Sequence, residues 1–110
     1  MLSEQACRDR VWERDESKCR ATGQWLNRQN GDGEVHHLRG RNVMPEWKRL
    51  PEKQILLGRE MHRLATGVIG GKLLLLRDPD HPTEPASDAT KPILFIRVDR
   101  RGSELWRRVR

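Results

Sequence analysis

Three or more consecutive apolar residues occur in three short runs of this chain, within QILLG at 54–58, KLLLLR at 72–77 and ILFIRVD at 93–99. Each is too short for an ordinary helix and is bounded by glycine, proline or charge, so the pattern predicts short strands. The run from Leu73 to Leu76 is also far too short to span a bilayer. Only 35% of the 110 residues are apolar, and an equal share is charged. One small domain with a modest core is expected, of the kind often helped by a metal, disulfides or oligomerisation. Cys7 and Cys19 are too few for a disulfide framework and read as small buried residues. With no signal-peptide pattern, the expectation is a soluble cytoplasmic protein with no membrane association.

The formal charge of +6 favours a polyanionic partner, most simply nucleic acid. The basic residues are spread along the chain instead of collected in a tail. No amphipathic helix with a broad apolar face is present to lie on an acidic membrane.

Ser3 is a good N-cap, and Ala6, Cys7, Val11 and Trp12 form a narrow apolar stripe, which predicts a helix over about residues 4–14. ATGQWLNRQNGDG reads as turns around a short extended piece, and EVHHLRG as a strand. RNVMPEWKRLPEK, with Pro45 and Pro51, reads as a long irregular loop. REMHRLATG reads as a short helix closed by Gly67, with Met61, Leu64 and Ala65 on one side and His62 beside them. DPDHPTEPASDATKP is a polar loop in which His81, Asp78 and Asp80 are expected to be solvated. The chain should close in a hairpin turning over Asp99–Gly102, with Ile93, Phe95, Val98 and Leu105 in the core. Trp12, Trp25, Trp47 and Trp106 follow no regular spacing, which favours core and loop anchoring over a base-stacking platform.

The order is therefore strand with His36 and His37, loop, strand, then short helix with His62. A hairpin feeding a helix can bring strand and helix histidines together, and two imidazoles are a reasonable start to a divalent metal site. Side chains alternate along a strand, so the adjacent histidines can take different tasks, one toward a metal and one as a base.

The segments CRATG, GEVHHLRGR and PEKQILLGREMHRLATG, over roughly residues 8–67, resemble the HNH endonucleases, the ββα-metal nuclease family. The likeness is strongest to the short versions common in phages and prophages. It implies an α+β fold: a small ββα-metal motif with an N-terminal helix over residues 1–67, and an added C-terminal β-hairpin over 68–110 as an extension of the same domain. It implies His36 and His62 as metal ligands and His37 as the general base. Arg39, Arg41 and Arg63 would then contact phosphates, with one divalent cation as cofactor. Magnesium or manganese is the first expectation for that cation, and zinc or nickel the alternative. DNA is the implied partner, with phage packaging proteins as further candidates.

Where the family carries an asparagine that braces the loop backbone, this chain has Lys53 beside Gln54, so these two are the candidates for structural bracing. The paired Cys-x-x-Cys ligands of a structural zinc in many relatives fall here on Cys19 and Thr22, and on Gly58 and Met61. Such a zinc is therefore not expected. The implied activity is hydrolysis of DNA phosphodiester bonds. The alternative is a catalytically degenerate HNH-fold module that only binds nucleic acid.

Overall fold

The computed structural model describes residues 2–39 and 45–110. It is an α+β chain of two helices and two antiparallel sheets. Helix α1 (Glu4–Arg14) is capped by Ser3, whose hydroxyl accepts the Ala6 N–H, and it buries Cys7, Val11 and Trp12. The stripe read from sequence is thus the face that packs, although Ala6 is only half-buried.

Strands β1 (Gly33–His37) and β2 (Gln54–Gly58) pair antiparallel, with His36 opposite Ile55 and His37 opposite Gln54. Ile55, Leu56 and Leu57 are fully buried, because α1 and α2 (Arg59–Thr66) both pack on this hairpin. Helix α2 follows β2 without a spacer residue. At the start of β1, Gly33 admits a close approach of the Leu26 and Trp12 side chains. A Cβ there would stand 2.7 Å from Leu26 Cδ1 and 3.1 Å from the Trp12 ring. The segment expected as an irregular loop instead contains two 3-10 turns, Pro45–Arg49 and Pro51–Lys53. Proline fixes φ near the helical value and suits the first position of such a turn. Arg41 and Asn42 lie outside the described residues.

Strands β3 (Lys72–Arg77), β4 (Leu94–Asp99) and β5 (Glu104–Val109) form the second sheet in that order, so the C-terminal hairpin has β3 at its side. One continuous core runs through both sheets and both helices, from Val11 and Trp12 through Ile55, Leu57 and Leu64 to Leu74, Ile93 and Phe95. The segments before and after residue 67 therefore share their interior. The second sheet's other face carries a smaller cluster of Leu94, Ile96 and Val98, with Leu73 and Leu75 against it.

Two core expectations fail. Leu105 is 44% exposed on β5, of which only Trp106 is partly buried, and the β4–β5 register shifts between Arg97 and Val98. Val98 pairs with Glu104 and Arg97 with Trp106, so Leu105 is the extra residue of a bulge and leaves the alternation. Trp25, expected as an anchor, is 64% exposed. Ile93, Phe95, Val98 and both cysteines are buried, the cysteines as free thiols. Among the described residues no helix is long and apolar enough to cross a membrane.

A buried carboxylate ties these layers together. Asp15, just past α1, accepts Arg14 Nε and Nη2 at 2.9 and 3.0 Å, Arg20 Nη1 at 3.1 Å, and the Leu56 backbone N–H at 2.9 Å. Arg14 also donates to the carbonyls of Pro51 and Gln54, and Arg20 to that of Ala89. Helix α1, strand β2 and the polar loop before β4 thus meet on one ionic centre.

Candidate active site

Helix α2 follows β2 directly and lies against β1, and this sets His62 beside His36. Their ring centroids are 5.3 Å apart, with planes at 77°. The spacing suits a shared cation: two imidazoles bound at about 2.1 Å around a tetrahedral centre hold their centroids roughly 5 Å apart. Glu34 stands two residues before His36, hence on the same side of β1. Its carboxylate lies 2.8 Å from His62 Nδ1. An Nδ1–H donated to Glu34 holds the ring in one orientation and leaves Nε2 as the atom that a metal could take.

His36 is half-buried, and its pKa is pushed down to about 4, first by burial and then by the nearness of His62 and His37. At neutral pH it is the uncharged imidazole, the form that binds a metal. Because its folded pKa lies below the unfolded value of 6.5, its contribution to stability is whole above that value. It is lost as pH falls from 6.5 toward 4. Thermal melts of wild type and His36→Gln across that range should therefore converge as pH falls, with wild type losing the more stability.

His37, the last residue of β1, lines the same open cleft of about 410 Å³ as His36 and His62. Leu38, Arg39, Ala65 and Thr66 complete its walls. The three histidines singled out from sequence thus come together, and Arg39 comes with them. Arg63 is exposed on α2 and is not part of the cleft wall. Arg41 falls outside the described residues.

Gln54 is buried opposite His37, and its side-chain amide donates to the Trp47 carbonyl at 3.0 Å, across the loop between the histidines. Lys53 is half-buried, and its ammonium donates to the Ser87 carbonyl at 2.7 Å while lying 4.4 Å from the Trp47 ring centroid. Sequence reading missed Glu34. The available signal was its spacing of two from His36, which places an acid on the ligand face.

The pairs Cys19/Thr22 and Gly58/Met61, distant from each other in sequence, line one depression. A Cβ at Gly58 would lie 3.9 Å from that of Cys19. Elsewhere, Asp78, His81 and Glu84 bring one ligand atom each within 4.8 Å of one another. They are exposed or half-exposed around a turn, with Asp78 accepting the Asp80 N–H and the His81 N–H bonding to the Asp78 carbonyl. Turn hydrogen bonding accounts for this grouping.

Compared with protein-family models, curated proteins and solved structures, the chain finds no match in any of the three.

Proposed function

We propose that this chain is a metal-dependent DNA endonuclease of the HNH type, hydrolysing phosphodiester bonds with His37 as general base and one divalent cation on His36 and His62. The observation that carries the reading is the convergence in one cleft of His36, His37 and His62, with Glu34 orienting the helix histidine. His37 takes a proton from a water that attacks phosphorus. The bond to the 3′ oxygen breaks, leaving a 5′-phosphate and, after protonation, a 3′-hydroxyl. His36 and His62 would hold the cation through ring nitrogens, and when bound it would supply Lewis-acid stabilisation of the developing negative charge; magnesium, manganese, zinc and nickel are the ions to test. Arg39 at the cleft wall and Arg63 on α2 would contact neighbouring phosphates, which position the backbone without reading sequence. Gln54 is the better candidate for the loop brace, since its amide already bonds the Trp47 carbonyl.

The second reading, a nucleic-acid-binding module without catalysis, is favoured by one observation. Lys53, at the family's asparagine position, is committed to Trp47 and Ser87. Nicking of supercoiled plasmid at low salt, with each metal and with EDTA, separates the two. Metal-dependent nicking supports the enzyme; DNA binding with no cutting under any metal supports the module.

Two further results are expected. Glu34→Gln removes the carboxylate behind His62 and should weaken cation binding about 10–100-fold, read by calorimetric titration. Glu34 is half-exposed, so the variant should fold. The second concerns the architecture independently of activity. Thr22→Cys, Gly58→Cys and Met61→Cys together should create with Cys19 a four-thiolate zinc site, with thiolate charge-transfer bands on cobalt substitution. Failure to bind one metal per chain would count against the ββα-metal register.

A further inference from the structure

We propose that Trp47 is a positioning residue: its backbone held by Gln54 and its indole faced by Lys53, it sets the Arg39 guanidinium at the mouth of the histidine cleft as a clamp for a nucleic-acid phosphate. This rests on the nuclease reading and extends it to how the substrate is held.

Arg39 is exposed and lines the cleft, and its guanidinium carbon lies 5.8 Å from the Trp47 ring centroid. An exposed arginine on a loop samples many rotamers, and ordering it only on binding weakens the contact it makes. Stacking on an aromatic face restricts those rotamers while leaving the N–H edges to fork onto phosphate oxygens.

The platform is itself held at two points. The Gln54 amide bonds the Trp47 carbonyl at 3.0 Å, and the Lys53 ammonium lies 4.4 Å from its ring centroid. Lys53 is held in turn by the Ser87 carbonyl at 2.7 Å, in the polar loop before β4. That loop is joined to the same turn by the Ala89 N–H on the Glu52 carbonyl, and Leu38 next to Arg39 donates to the Lys53 carbonyl at 2.9 Å. The chain of contacts runs from the C-terminal part of the molecule through Lys53 and Trp47 to the cleft wall. It gives residues beyond 67 a part in the site, and it gives Lys53 a task that an asparagine could not perform. The two cations beside one ring also make this wall attractive to a polyanion.

The test is binding of a short DNA duplex in EDTA over a range of salt concentrations, which needs no cutting. Arg39→Ala should lower the slope of log affinity against log salt by about 0.9, as expected for one lost phosphate contact, and weaken binding about threefold at moderate salt. Trp47→Ala should cause most of the same weakening, with little added in the double variant, because the two act as one unit. Trp47→Phe should recover most of it, and Lys53→Met should lose part. In nicking assays Trp47→Ala should raise KM with kcat little changed. Unaltered binding by Trp47→Ala, or losses that add in full to those of Arg39→Ala, would overturn the proposal. If Trp47→Ala melts early, Trp47→Phe and Lys53→Met decide: wild-type affinity in Lys53→Met overturns the assignment. Wild-type protein that binds no DNA at any salt overturns the nuclease reading as well, whereas binding with indifferent variants overturns the clamp alone.

Discussion

His37→Ala is expected to abolish metal-dependent nicking while leaving metal binding and DNA binding close to wild type. A positioned general base contributes about 10²–10⁴-fold to rate, so the residual activity should be at or below the detection limit of a plasmid assay. The contrast with His36→Ala gives the experiment its force. His36 and His62 are the paired rings, 5.3 Å apart, and removing either should lower cation affinity. Removing His37 should not. Nicking by His37→Ala at the wild-type rate would sink the assignment of the base. Equal loss of metal binding in His37→Ala and His36→Ala would mean that the two neighbouring histidines share one task.

Asp15→Ala should be strongly destabilising. Its carboxylate is 2% exposed and receives two arginines and the Leu56 N–H. Truncation leaves Arg14 and Arg20 without their counter-charge and a buried backbone donor without an acceptor. Breaking a buried ion pair from one side costs about 3–5 kcal/mol. Small domains hold only about 5–15 kcal/mol in total, so the variant should lose a large share of its stability. Urea unfolding followed by circular dichroism measures this directly, with Asp15→Asn, which keeps one acceptor oxygen, expected to fall between. A loss below about 1 kcal/mol, the range of an exposed pair, would show that the centre is not needed for stability.

Asp15 also shows why part of this architecture was hidden in the sequence. Its partners lie 41 positions away at Leu56 and, through Arg20, 69 positions on at Ala89. No local pattern distinguishes it from Asp9, which pairs with Arg28 on the surface. Glu34 was missed for a milder reason. Its spacing to His36 was visible, but its meaning depends on His62, which reaches it only when α2 folds back on the hairpin. Leu105 misled because alternation along β5 holds only until a bulge inserts one residue.

What the residues determined alone is local. The apolar runs at 54–58, 72–77 and 93–99 hold strands β2, β3 and β4, because short apolar runs bounded by glycine, proline or charge suit strands better than helices. Ser3 and the stripe through Cys7 and Val11 made α1. The two histidines at 36 and 37, with a third on the following helix, were legible as a group through the order strand, loop, strand, helix and through the family resemblance. Only the tertiary structure decided which atoms meet: Glu34 on His62, Gln54 and Lys53 on Trp47, and two arginines on Asp15. The physical reason is that hydrophobic burial is read from periodicity within one element. Polar pairing instead depends on distances between elements, which exist only once the core has closed.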